Sequence, residues 1–67
     1  MNFNVVPANL KKLMVLRGYS MAHLASMCEM SERTLYHRFQ HPGDFTLDEL
    51  SGLSNHLKVT FEQLLTA

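Results

Sequence analysis

The sequence predicts an all-α domain of five short helices, and three observations carry that prediction. A local pattern recurs: a hydrophobic residue, then Ser or Thr, then three residues, then Leu. It occurs as Tyr19-Ser20 with Leu24, Met30-Ser31 with Leu35, Phe45-Thr46 with Leu50, and Val59-Thr60 with Leu64. Each hydroxyl is placed to accept from the free N–H groups of a first helical turn, and each preceding residue to staple onto the leucine inside the helix. Pro7 supplies a fifth start, because its fixed φ and missing N–H suit a first helical position. Finally, no stretch has the period-two alternation or β-branched richness of a strand.

Taken in order, the first helix is expected from Pro7 to Arg17, where Gly18 stops it. Leu10, Leu13, Met14 and the stem of Arg17 line one face at amphipathic spacing, while Lys11, Lys12 and Val15 face elsewhere. The second runs from Met21 to Cys28 with Met21, Leu24, Ala25 and Cys28 inward. The third runs from Glu32 to Phe39 or Gln40 with Leu35 and Phe39 inward, and Pro42-Gly43 bars it from continuing. The fourth, Leu47 to Leu57, turns Leu50, Leu53 and Leu57 to the core. The fifth, Phe61 to Leu65, is little more than one turn. Glu49 and Gln63 stand where they complete capping boxes with Thr46 and Thr60.

A chain of 67 residues, 46% of them hydrophobic, fits one small globular domain spanning residues 1–67. Its single cysteine, Cys28, forms no internal disulfide, which points to a reducing, cytoplasmic setting. The N-terminal MNFNVVPANLKK lacks the order of a signal peptide, and the longest apolar run, Leu13 to Leu16, is too short for a bilayer. Net charge is zero, but it is unevenly spread. Residues 1–41 hold five Lys and Arg against two Glu, a net +3, and residues 42–67 hold Lys58 against four acids, a net −3. The charge split predicts a dipolar molecule.

No catalytic set emerges: Cys28 falls on the core side of its helix, where a thiol is a small hydrophobe. The chain is not expected to be an enzyme, and no cofactor or small-molecule ligand is implied. His23, Cys28, His37 and His41 lack the paired spacing of a metal site, and His41 sits where the third helix is ending, so it need not share a face with His37.

The informative stretch is Met21 to Gln40. Two short helices meet at Glu29, Met30 and Ser31, and the small Ala25 lets them approach closely, the internal outline of a helix-turn-helix. The outer side of the second of them offers Glu32, Arg33, Tyr36, His37 and Gln40, with Arg38 as a further basic side chain on the outside. Arg can bond guanine bidentately, Gln can bond adenine, Glu can accept from cytosine, and Ser, Tyr and His reach phosphates or base edges. Fork donors, amides and an aromatic suit nucleic acid better than a plain Lys/Glu face.

The order of elements and the residues Leu24-Ala25, Met30-Ser31, Thr34-Leu35-Tyr36, Arg38-Phe39, Phe45-Thr46-Leu47 and Leu57-Lys58-Val59 resemble the helix-turn-helix family of Cro and the phage lambda repressor. The segment RTLYHRF, a proline, and FTLDEL is similar to small phage-encoded regulators of that family. The resemblance implies a compact five-helix lambda repressor-like DNA-binding domain that places its third helix in the major groove of operator DNA, usually as a dimer. Carried over by position, Ser31, Glu32, Arg33, Tyr36, His37 and Gln40 face DNA, with Ser20 and Met21 near its backbone. Glu29 stands where the family commonly has glycine, so it either adopts a left-handed backbone or the turn differs. Met21 stands where the family often has glutamine.

The expected function is therefore a sequence-specific transcriptional regulator, a repressor-type protein of phage or prophage kind, binding double-stranded DNA and no membrane. So few basic side chains neutralise few phosphates, which argues for a homodimer on a two-fold operator. Phe61, Leu64 and Leu65 are candidates for the dimer contact, or else close the core. The alternative is a helix-turn-helix that engages another protein, antirepressor-like or antitoxin-like.

Overall fold

The computed structural model describes residues 3–66. Its helices are α1 (Val6–Arg17), α2 (Met21–Met27), α3 (Glu32–Gln40), α4 (Leu47–Leu57) and α5 (Phe61–Leu65), with single 3₁₀ turns at Phe3–Val5 and Pro42–Asp44. No strand occurs among the described residues. Two boundaries differ from the sequence expectation. The 3₁₀ turn feeds directly into α1, so the helix opens at Val6, a fully buried core residue, and Pro7 falls within its first turn. At the other, α2 closes at Met27 and leaves Cys28 as its C-cap.

All four hydroxyl caps form. Ser20 accepts from the His23 N–H and Ser31 from the Thr34 N–H, both at 3.1 Å. The Glu49 and Thr46 pair makes a reciprocal box at 3.1 and 2.9 Å, and the Gln63 and Thr60 pair another at 3.0 and 2.7 Å.

The helix C-termini show a regularity that the N-terminal pattern only half reveals. Gly18, Glu29 and Lys58 all lie in the left-handed region, with φ of 69°, 57° and 55°. After each comes a hydrophobic residue whose N–H reaches back five positions: Tyr19 to Met14 at 3.0 Å, Met30 to Ala25 at 3.1 Å and Val59 to Ser54 at 3.1 Å. Each is a Schellman turn. The same three-residue link, left-handed residue then hydrophobe then hydroxyl, thus ends one helix and starts the next at three junctions.

These links fold the helices around a core of Val6, Leu10, Leu24, Ala25, Leu35, Phe45, Leu50, Leu53, Leu57 and Leu64. α1 packs on α5, α2 on α3 and α4, and α4 on α5. Side chains tie the distant ends. Asn9 donates into the terminal carbonyls of α5, at 2.8 Å to Leu64 and 2.9 Å to Thr66. The Arg17 guanidinium donates to the Leu57 carbonyl at the end of α4, where a cation also suits the helix dipole. Arg17 is therefore an exposed cap more than a core-lining stem. Among the described residues, no helix is long and apolar enough to cross a membrane.

Candidate nucleic-acid interface

The angle between α2 and α3 is set from inside. Ala25 is buried with no bulk beyond its methyl, while Leu24 and Leu35 are fully enclosed beside it. The turn between them is short because Glu29 accepts the left-handed backbone, the first of the two alternatives the sequence left open. Leu35 then anchors α3 from beneath, and Phe39 packs against the core edge.

Anchoring at Leu35 turns Glu32, Arg33, Tyr36, His37 and Gln40 outward, and all are exposed. Ser20 and Ser31 are exposed at the helix starts, with their hydroxyls engaged as caps; Ser31 Oγ also donates to Thr34 Oγ1 at 3.0 Å. Met21 is half-buried, packed on the core at the mouth of α2. Arg38 departs from the expected outer set. Its Nε and Nη2 donate to Glu49 Oε1 and Oε2 at 3.2 and 3.4 Å, with both side chains about one-fifth exposed. The spacing that put Arg38 outside took no account of α4, whose capping glutamate draws the guanidinium sideways.

His37 also has a partner, since its Nε2 lies 3.1 Å from Asp44 Oδ2 on the 3₁₀ turn that follows α3. Its ring stands 4.7 Å from that of His41, so the two histidines do come together. No group of metal-holding side chains occurs among the described residues.

Lys11 was absent from the sequence-derived set. It lies on α1, yet it lines one cleft with Met14, Met21, Tyr36, Phe39 and Gln40, its Nζ 5.9 Å from the centre of the Phe39 ring. Nothing local in the sequence marks it, because its position depends on how α1 crosses α3. At the opposite side, Leu64 is enclosed in the core, whereas Phe61 and Leu65 keep partial exposure. Of the three residues considered for a dimer contact, Leu64 is the one spent on closing the core.

Cys28 is electrostatically unsuited to chemistry. Burial, with a smaller contribution from the Glu49 carboxylate, pushes its thiol up to about 11. The sulfur stays protonated and poorly nucleophilic near neutral pH.

Two short helices joined by a left-handed turn, the second presenting an exposed polar stripe, define a helix-turn-helix domain. Residues 9–67 match the family model of the Cro/C1-type HTH DNA-binding domain, and the chain belongs to that family. The family makes it a DNA-binding helix-turn-helix protein of transcription regulation, with double-stranded DNA as its partner. Comparison with curated proteins found no match, and comparison with solved structures found none.

Proposed function

We propose that residues 1–67 act as a single domain, a sequence-specific transcriptional regulator of Cro/phage repressor type working in the cytoplasm, with its motif at residues 21–40 and α3 in the major groove. The observation that carries this reading is the exposed stripe of Glu32, Arg33, Tyr36, His37 and Gln40 on a helix anchored by Leu35. Arg33 is the side chain to read a base: it is exposed and, among the described residues, makes no ion pair. Ser20, Met21 and Ser31 lie at helix starts, where backbone N–H groups favour phosphate oxygens.

Duplexes selected from a random pool test the reading. Arg33→Ala should cost about 1–3 kcal/mol on the selected duplex and relax preference at one base pair. Unchanged affinity and preference would overturn it. Two copies on a two-fold site, meeting through Phe61 and Leu65 at α5, would supply the charge that one copy lacks.

One observation favours the protein-interaction alternative. Val15 and Leu16 are 84% and 79% exposed, side by side on α1, and adjoining exposed apolar residues suit a protein contact. The methionines suit it less, because Met14, Met21, Met27 and Met30 pack against the core. A parent chain that selects no duplex from the pool would favour this alternative.

A further inference from the structure

We propose that Lys11 of α1, with Tyr36 and Gln40 of α3, forms a site for a phosphodiester group of the duplex backbone, separate from the base-reading part of α3. The proposal rests on the DNA-binding reading above and goes further by dividing the α3 face between two tasks.

The three side chains come from different helices but border one cleft, whose floor is Met14, Met21 and Phe39. Lysine offers only donors, the tyrosine hydroxyl and glutamine amide can each donate, and the apolar floor offers nothing that competes for them. Among the described residues, the carboxylates that form ion pairs are Asp44 with His37 and Glu49 with Arg38; neither pairs with Lys11. The ammonium rests near the Phe39 ring at 5.9 Å, a contact that holds a cation in place without neutralising it. Tyr36 is 54% exposed, so its side chain stands at the surface of the cleft. A positive charge flanked by groups that can donate, on an apolar floor, is complementary to a singly charged phosphate; the Gln40 amide could also bond adenine, and sharing a cleft with Lys11 assigns it to the phosphate.

Position along α3 also matters, since Arg33, Tyr36 and Gln40 share one face at i, i+3 and i+7. Arg33 lies at the start of the helix, whereas Gln40 is its last residue and shares its cleft with a different helix. A helix seated in the major groove meets the strand backbone along its flanks and ends. Tyr36 and Gln40 therefore position the domain while Arg33 reads sequence. Lys12, adjacent in sequence, shares an apolar groove of α1 with Lys11 and borders a second cleft with Asn9, Leu13, Leu16, Val59 and Gln63 on the α5 side, but it does not line the cleft of Tyr36 and Gln40, and so serves as an internal control.

The test is titration of selected and random duplexes over a salt series with the parent chain, Lys11→Gln, Lys11→Arg and Lys12→Gln, each checked for folding by thermal melting. Lys11→Gln should weaken both duplexes by the same factor, about threefold or more, and reduce the slope of log K against log salt by about 1. Lys11→Arg should keep the slope, and Lys12→Gln should keep slope and affinity. An unchanged slope in Lys11→Gln, or a change in its sequence preference, overturns this proposal alone. Failure of the parent chain to bind either duplex overturns the DNA reading and this site with it.

Discussion

Glu29 and Lys58 hold backbone angles that Gly18 holds at the equivalent place in the first link. For a residue with a Cβ the left-handed region costs about 1–2 kcal/mol, against which glycine loses more freedom on folding. Glu29→Gly should therefore raise stability by about 0.5–1 kcal/mol in chemical denaturation. A destabilised variant would mean that the carboxylate contributes something the backbone does not show. Cys28 makes a second prediction. Its folded thiol sits at about 11 against an ordinary 9.0, so the folded state holds the proton more tightly than the unfolded chain. The stabilisation is fully present below pH 9 and is lost as pH rises through 11. Cys28→Ala should flatten the fall in stability across that window, measured by denaturation at several pH values. A parallel fall in both proteins would show the thiol is not linked to folding.

At the level of elements, Glu49 joins two jobs. It closes the capping box that starts α4 and it holds Arg38 of α3, so the two helices are fixed by one carboxylate. Arg38→Ala should cost about 1 kcal/mol of stability, since the pair is only one-fifth exposed, while preference among duplexes stays that of the parent. A shifted preference would return Arg38 to the base-reading set. The face of α3 was legible in the sequence because its period follows from Leu35 and Phe39 alone. Which member of that face another helix would claim was not, because α4 is placed by tertiary packing.

For the whole molecule, the charge division into a basic and an acidic half takes a specific form. His37 with Asp44 and Arg38 with Glu49 both join one half to the other, so α3 is partly neutralised by the segment that follows it. In the basic half Lys11, Lys12, Arg17 and Arg33 remain without ion pairs among the described residues, and Arg17 is engaged by the Leu57 carbonyl, which leaves a small number for tight binding by one copy. Assembly then matters. If the proposed pair forms through α5, the parent sediments with two copies per duplex and Leu65→Glu with one; a parent with one copy would overturn the pair, and an unchanged two would move the contact away from α5. By contrast Leu64→Ala should act on the fold, costing about 2–5 kcal/mol, because that leucine is 1% exposed.

The sequence alone determined where α2 to α5 start, which hydroxyls cap them and that Leu24, Leu35, Leu50, Leu53 and Leu57 face inward, because these depend on atoms within about one helical turn. It also determined the helix-turn-helix and its outer stripe, through Ala25, Ser31 and Leu35. Only the tertiary structure decided that α1 opens at Val6, that Arg38 turns to Glu49, that Leu64 closes the core, and that Lys11 joins Tyr36 and Gln40. Each of those depends on the crossing of helices distant in sequence, and crossings are set by the packing of whole faces, which no local pattern encodes.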